Sequence, residues 1–240
     1  MSDALLIAVA ALWGAAAGAL LPRAAYRLAV PPEEPWRTAC PEGHAVTGWL
    51  GRARCVPCGR AYGRTLPVAL AGAAVCAALA AATGPRPELG AWLLLAPAGV
   101  LLAVVDFRVQ RLPDVLTLPL AAAALVLLGA AALTPEHTGD WPTALLGALA
   151  LGAGYFVLFL INPEGMGFGD VKLALGLGAV LGWYGWGTVL LGTFAGFLFG
   201  GLYGIGLVVL RRAGRKTSIP FGPFLIAGAF VGTLMGAAAA

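Results

Sequence analysis

The stretch "EGMGFGDVKLALGLGAVLGW", residues 164–183, sets an aspartate, Asp170, at the start of a long apolar run. Three glycines, Gly165, Gly167 and Gly169, alternate with other residues just ahead of it. The run has the composition of a membrane helix, where an acidic side chain costs about 2.5–3.5 kcal/mol at the bilayer centre and less near an end. A carboxylate in this position therefore indicates a function.

The composition of the whole chain points to lipid as its solvent. Of its 240 residues, 60% are hydrophobic and 11% are charged, and the mean hydropathy is +0.88. A soluble domain is nearer half apolar and a quarter charged. The net charge of +4 is therefore interpreted as a signal of membrane orientation, and no nucleic-acid partner is predicted.

Eight segments approach the roughly 20 apolar residues that a membrane helix needs. They are 4–21, 66–83, 90–106, 115–133, 142–161, 171–186, 187–210 and 220–238. The pattern predicts an all-α polytopic membrane protein with about eight transmembrane helices. We expect three parts: a first, retained transmembrane helix over 1–21, a cytoplasmic loop over 22–65, and a seven-helix membrane domain over 66–240.

The positive residues predict the orientation. Fourteen of the fifteen Lys and Arg residues lie in the connections 22–65, 106–114 and 211–219 or at Lys172, at the start of the sixth segment. The alternate connections contain only Arg86. Because loops rich in Lys and Arg stay in the cytoplasm, these connections are predicted to be cytoplasmic, and both termini are predicted to lie on the opposite, outer side of the membrane.

Two aspartates join directly onto apolar helices. Asp106 closes "AGVLLAVVD" and Asp170 opens "DVKLALGLGAVLGW", with two predicted spans between them. An even number of crossings returns the chain to the same side, so both carboxylates are expected at one membrane depth. Two close carboxylates can share a proton and act as acid and base, as in aspartic proteases. The helix dipoles favour Asp170 as the base and Asp106 as the acid.

The residues near these aspartates have simpler interpretations as well. Gly165, Gly167 and Gly169 are expected to adopt positive φ and let the backbone approach a substrate strand, although a plain interhelical loop also fits them. For Asp106 and Asp170 the alternative is a structural role, as helix caps or as acids at the membrane interface. Asp114, in "RLPDVLTLP", is predicted to be an N-cap. The other acidic residues, Glu88 among them, lie in connections and are interpreted as solvated.

The segments "DFRVQRLPDVLTLPL" and "GMGFGDVKLALGLGAVLGW" resemble the two signature segments of bacterial type IV prepilin leader peptidases. These are polytopic aspartic proteases with a Gly-x-Gly-Asp motif. "GALLPRAAYRLAV" and "SIPFGPFLIAGAF" resemble the exit of that family's first helix and its last helix. The resemblance implies that Asp106 and Asp170 are catalytic. It also implies cleavage of basic leaders from prepilins or pseudopilins, after a glycine, at the cytoplasmic face of the bacterial inner membrane.

The loop after the first helix contains a candidate metal site in "CPEGHAVTGWLGRARCVPCG". Its ligands would be Cys40, His44, Cys55 and Cys58, a set that suits tetrahedral structural zinc. Disulfides are disfavoured in a reducing cytoplasm, and unliganded thiols remain the alternative. Many prepilin peptidases carry two Cys-x-x-Cys pairs here, whereas this chain has Gly43 in place of the second cysteine.

The resemblance also raises a second activity, because bifunctional members methylate the new N-terminus with S-adenosylmethionine. The loop is too short for a Rossmann unit, so methylation stays open. Two rival functions need different features. A proton-coupled transporter would place acids near the midplane, on discontinuous helices in repeated halves. A non-catalytic assembly protein would need no aspartate pair. The oligomeric state is not predicted.

Overall fold

A computed structural model describes residues 2–163, 165–210 and 219–240, and within these it confirms the predicted all-α architecture. The helices are α1 (Asp3–Leu28), α2 (Thr65–Thr83), α3 (Glu88–Val109), α4 (Asp114–Ala132), α5 (Trp141–Ile161), α6 (Phe168–Gly182), α7 (Trp186–Val209) and α8 (Gly222–Ala239). Glu164 and the predicted cytoplasmic charges Arg211, Arg212, Arg215 and Lys216 lie outside the described residues.

Seven of these helices are long and apolar enough to cross a membrane, which makes the chain a multi-pass membrane protein. The exception is α6, whose 15 residues are fewer than the roughly 20 of a typical span; its end nevertheless reaches the α4–α5 connection at the other end of the bundle, where the Asp140 N–H donates to the Trp183 carbonyl. It packs against α4, α5, α7 and α8. The helix that begins with Asp170's motif is thus short and enclosed by its neighbours.

Glycines set the distance between the helices that pack most extensively, which are the pairs α1–α2, α5–α6 and α7–α8. In each pair a glycine on one helix faces the backbone of the other. The contacts are Gly14 with Gly72, Gly147 with Gly178, and Gly228 with both Gly192 and Gly196. Lipid offers no hydrophobic drive for helix association, so close backbone packing stabilises these pairs instead.

Helix α1 extends beyond the predicted end at residue 21 because its last turns support the loop that follows. The Tyr26 hydroxyl donates a hydrogen bond to the Ala39 carbonyl at 3.0 Å, and the Tyr26 ring lies 4.5 Å from that of Tyr62. The Arg27 guanidinium stacks 3.9 Å from the centre of the Trp49 ring. The loop is therefore anchored on a helical projection from the membrane bundle.

The opposite end of the bundle shows that the solvated interpretation of Glu88 is wrong. Glu88 is completely buried, accepts a hydrogen bond from the Thr138 hydroxyl at 2.7 Å, and lies 3.9 Å from the Arg86 guanidinium. Arg86 in turn donates to the carbonyls of Ala82 and Ala237, at the ends of α2 and α8. The buried Glu88 carboxylate thus lies beside Arg86, the one positive residue predicted at this end, as a buried charge requires a partner of opposite sign.

The glycine contacts predict that α5 and α6 will not tolerate a side chain between them. A Cβ at Gly147 would lie 2.5 Å from the Gly178 carbonyl oxygen, whereas a Cβ at Gly154, in the same helix, would meet nothing within 4 Å. We expect Gly147→Val to destabilise the protein by about 1–3 kcal/mol or more and Gly154→Val to change it little. Thermal unfolding in detergent measures both, and equal losses of stability would contradict this packing.

Candidate active site and metal-binding loop

Asp106 lies in the last turn of α3 and faces the start of α8. It is buried, with 4% of its surface exposed. Its Oδ2 accepts a hydrogen bond of 3.0 Å from the backbone N–H of Gly222, the first residue of α8. The first N–H groups of a helix have no partner within the helix, and the N-terminal dipole favours a negative charge. The start of α8 therefore satisfies a carboxylate that has little access to water.

Asp170 is held in a similar way by its own helix. It lies in the first turn of α6 and is 7% exposed. Its Oδ2 accepts a hydrogen bond of 3.2 Å from the Gly167 N–H, which is half of a capping box. The capping interpretation of Asp170 is thus correct for this one hydrogen bond. It does not explain why a second buried carboxylate lies nearby.

The structure brings the two carboxylates together, and Asp106 and Asp170 interact electrostatically. Leu112, in the connection between α3 and α4, lies between the elements that hold them. A Cβ on Gly169 would lie 2.9 Å from the Leu112 Cβ, and a Cβ on Gly222 would lie 3.2 Å from both Leu112 methyl carbons. Leu112 is buried and so acts as a fixed spacer between the starts of α6 and α8.

Each carboxylate therefore faces a helix N-terminus. The acid and base roles were predicted from Asp106's position at a helix C-terminus and Asp170's position at an N-terminus. The Gly222 N–H gives Asp106 an N-terminal environment as well, because it belongs to a different helix. The helix-dipole environments of Asp106 and Asp170 therefore differ less than the sequence indicates. The assignment of Asp170 as base and Asp106 as acid stays a prediction.

The motif glycines provide room but do not adopt the expected conformation. Positive φ occurs at six glycines in the described residues, and Gly165, Gly167 and Gly169 are not among them. Gly167 has an extended conformation, with φ −73° and ψ 145°, which directs its N–H to Asp170. Gly169 is needed because Leu112 occupies the space of a side chain. The prediction of positive φ was wrong, and close packing explains these positions.

Asp114 is not the N-cap that its sequence predicts. Helix α4 begins at Asp114 itself, the N-cap residue is Pro113, and no side chain caps this end. The Asp114 carboxylate instead accepts a hydrogen bond of 2.6 Å from the Lys172 ammonium, two residues after Asp170. This ion pair joins the start of α4 to the N-terminal part of α6.

The four predicted metal ligands lie together in the loop. Their ligand atoms are all within 4.8 Å of one another. The Cys40 sulfur lies 3.9 Å from the Cys58 sulfur and 3.6 Å from the His44 Nδ1. Sulfurs that share a tetrahedral metal at about 2.3 Å would be about 3.8 Å apart. The cluster could hold a metal ion.

Two short turns build this cluster. The Cys40 N–H donates to the His44 carbonyl, and the Cys55 N–H donates to the Arg60 carbonyl. Gly43 and Gly59, with φ of +84° and +67°, complete the turns in the conformation that favours glycine. Gly43, which stands where the family pattern has a cysteine, therefore has a backbone role, and the His44 Nδ1 lies in the cluster beside the Cys40 sulfur.

The thiol chemistry of Cys40 suits a metal ligand. Burial raises the pKa of Cys40, but its hydrogen bonds with His44, Cys55 and Cys58 outweigh burial and lower the pKa from 9.0 to about 7. A metal binds the thiolate form. The Cys40 sulfur is thus partly in its thiolate form near neutral pH.

The cysteine loop also contacts the connection that carries Leu112. The Arg111 guanidinium donates to the Pro31 carbonyl at 2.8 Å. Neighbouring Leu112 touches the starts of α6 and α8. The loop and the aspartates are thus joined through two consecutive residues.

Three residues of the site were missed by the sequence analysis: Gly222, Leu112 and Tyr155. Tyr155 is 4% exposed, interacts electrostatically with Asp170 and stacks on Phe197 with 5.9 Å between ring centres. The dipeptide Gly222-Pro223 is typical of a helix start, where the first N–H groups have no partner within the helix. The sequence could therefore have indicated Gly222 as a donor. Nothing in the local sequence distinguishes Leu112 or Tyr155 from other apolar positions.

Comparisons with known proteins agree on one family. Residues 93–205, which include both aspartates, match the type IV leader peptidase family. A prepilin leader peptidase/N-methyltransferase from Aeromonas salmonicida (strain A449) is 36% identical over 231 residues, covering 88% of this chain and 74% of that protein. The Pseudomonas aeruginosa protein with the same description is 34% identical over 234 residues, covering 89% and 75%. A search of solved structures finds no match.

The resemblance carried by the two aspartate segments is therefore confirmed over most of the chain. A further relative with the same description, from Burkholderia pseudomallei (strain 1026b), is 35% identical over 230 residues, covering 85% of this chain and 67% of that protein. The buried carboxylates lie on the two segments that carried the resemblance. The chain belongs to the type IV prepilin leader peptidase family.

Proposed function

We propose that this protein is a membrane aspartic endopeptidase that cleaves the basic leader of type IV prepilins or pseudopilins. One observation carries the proposal: two buried carboxylates from different helices, Asp106 and Asp170, interact with each other, and each accepts a backbone N–H at a helix start. The family and the names of the relatives supply the reaction. Both carboxylates are assigned as catalytic.

The proposed chemistry needs one water molecule and the two carboxylates. Ionised Asp170 takes a proton from the water, and the water oxygen attacks the scissile carbonyl carbon. Protonated Asp106 gives its proton to the carbonyl oxygen, and a tetrahedral diol forms. As the C–N bond breaks, Asp170 passes its proton to the leaving nitrogen and Asp106 recovers one from the diol. The products are the leader's carboxylic acid and a new amino terminus.

The motif glycines are proposed to serve the substrate as well as the packing. Gly165 and Gly167 are exposed and lie just before the first turn of α6. Without side chains they would leave the backbone next to Asp170 open to an extended substrate strand. Gly169 packs on Leu112 and is proposed to act by keeping α6 at this distance.

We propose that the active site lies at the cytoplasmic face of the bacterial inner membrane and that both termini are outside. Arg27, Arg111 and Lys172 support this orientation, since each belongs to the end of the bundle that holds the aspartates and the cysteine loop. The described positive residue at the other end is Arg86, which is bound to helix-end carbonyls. We retain the division into a first helix, a metal-binding loop and a seven-helix domain.

Zinc is the proposed ion for the loop, held by Cys40, His44, Cys55 and Cys58. Three sulfurs and one imidazole form a closed tetrahedral set of the kind used in structural zinc sites. The bound ion would fix the two turns to each other in a loop that has a small apolar core of its own. No step of the peptidase reaction is assigned to it.

N-methylation of the new amino terminus is proposed as a second activity, because the relatives are described as N-methyltransferases. S-adenosylmethionine would be the methyl donor. The described residues form helices and two isolated β-bridges, and none of them builds a strand–turn–helix nucleotide site. No residue is therefore assigned to the donor, and no step is derived through it.

The catalytic pair predicts that removing either charge stops cleavage. A peptide with a basic leader and a Gly-Phe junction is incubated with purified protein and S-adenosylmethionine, and mass spectrometry detects the products. We expect Asp106→Asn and Asp170→Asn each to lower cleavage by about 10²–10⁴-fold, since each removes an acid–base group. In the wild type, an added methyl mass on the new terminus would identify the second activity.

Asp140→Asn is the matched control, because Asp140 caps α5 through the Thr143 N–H and asparagine caps equally well. We expect full activity in this variant. Cleavage that persists in either Asp106→Asn or Asp170→Asn would overturn the pair. A wild-type protein that cleaves no leader would instead favour a proton-relay or scaffold function.

The metal site predicts about one zinc per chain in purified protein. We expect Cys55→Ser to lose it, since Cys55 is a buried ligand, and Cys76→Ala to retain it, since Cys76 packs in the bundle core. Metal analysis by mass spectrometry measures both. Full zinc content in Cys55→Ser, or none in the wild type, would contradict the site.

A further inference from the structure

A large apolar cleft runs through the bundle beside the aspartates. Its volume is about 490 Å³, and α2, α3, α4, α6 and α8 form its walls. Its lining is apolar apart from Thr233 and Arg108. None of the chemistry assigned to Asp106 and Asp170 uses this space.

One end of the cleft lies at the same end of α3 as Asp106, although neither aspartate lines it. Phe107 and Arg108, which directly follow Asp106 in α3, line this end. Pro223 also lines it and follows Gly222, whose N–H donates to Asp106. The cleft therefore begins within about one helical turn of Asp106, close enough to receive the chain that follows a bond held at the carboxylates.

The cleft extends from this end toward the other side of the membrane. Its lining along α3 reaches from Arg108 back to Trp92, a distance of about 24 Å at the helical rise per residue. The wall from α6, the helix of Asp170, contributes Gly176, Leu177 and Val180. The cleft thus follows the membrane-spanning direction and is bordered by both aspartate helices.

Small residues make the walls suitable for a helix. Ala96, Gly99 and Ala103 line the cleft along one face of α3, and Ala227 faces it from α8. A Cβ placed on Gly99 would meet only a methyl group of Ile226, at 3.7 Å. Small residues allow two helix backbones to approach in lipid, where close packing and not hydrophobic burial drives association.

We propose that the cleft binds the first turns of the substrate's apolar helix, directly after the cleaved junction. The proposal rests on the proposed peptidase function and adds a binding site to it. The polar leader stays at the membrane surface, and the apolar segment beyond the junction leaves the lipid for the cleft. The position of this apolar segment in the cleft sets which peptide bond of the substrate lies at Asp106 and Asp170. Ala103, one turn from Asp106, lies where the first turn of that helix would pack.

Two substrates separate this site from the carboxylate pair. Both carry the same basic leader and junction; one continues into the apolar helix, and the other ends a few residues after the junction. We expect Ala103→Leu to lower kcat/KM about tenfold or more for the long substrate, because the added side chain fills the cleft. Cleavage of the short substrate should change less than about twofold. Ala122→Leu, an exposed position on α4, should affect neither.

A photocrosslinking amino acid at Ala96 identifies the occupant directly. It is placed in the Asp170→Asn background, so that the long substrate stays intact. We expect a crosslink to the apolar helix of the substrate. A crosslink to phospholipid alone, in the presence of the long substrate, would overturn the proposal and identify a lipid site.

The kinetic outcomes also separate the two levels of the proposal. Equal losses for both substrates in Ala103→Leu would overturn the cleft site, because the substitution would then act through the carboxylates. Unchanged cleavage of the long substrate would overturn it as well. A wild-type protein that cleaves neither substrate would overturn the peptidase function and the cleft assignment with it.

Discussion

The arrangement of this protein depends on how a carboxylate is satisfied where water is scarce. A buried charge in a bilayer needs a partner, and the chain provides backbone N–H groups at helix starts. The bond from the Gly222 N–H to Asp106 joins α3 to α8. Asp170 accepts a hydrogen bond from the Gly167 N–H, at the start of its own helix, α6. The first bond ties α3 to α8, the second is local to α6, and Leu112 packs against the starts of both α6 and α8 at the same end of the bundle.

Sequence patterns predicted the helices and both aspartates because the bilayer imposes strong rules on composition. Apolar runs gave eight spans whose ends agree with the structure to within a few residues, except at α1 and α6. Helix α1 extends beyond its predicted end because Tyr26 and Arg27, in its last turns, support the cysteine loop. Interactions between distant segments could not be predicted in the same way. Asp114 pairs with Lys172, 58 residues away, and Glu88 is buried by a contact with Thr138.

The motif glycines show why a correct motif can be given a wrong physical reason. The spacing in "GMGFGD" indicated backbone freedom, but close packing against Leu112 is what requires Gly169. The same need explains Gly147 and Gly178, which let α5 and α6 touch. Because α6 is short, its position depends on such contacts with the neighbouring helices. Positioning of Asp170 is therefore a property of α5, α6 and Leu112 together.

The cysteine loop has a physical route to the carboxylates even though it supplies no group to them. Arg111 holds the loop's Pro31 carbonyl, and the next residue, Leu112, separates the starts of α6 and α8. The loop has a small apolar core of its own, and a metal held by its four donors would fix its two turns to each other. Because Arg111 and Leu112 are consecutive, one short segment of chain contacts both the loop and the starts of the two helices beside the carboxylates.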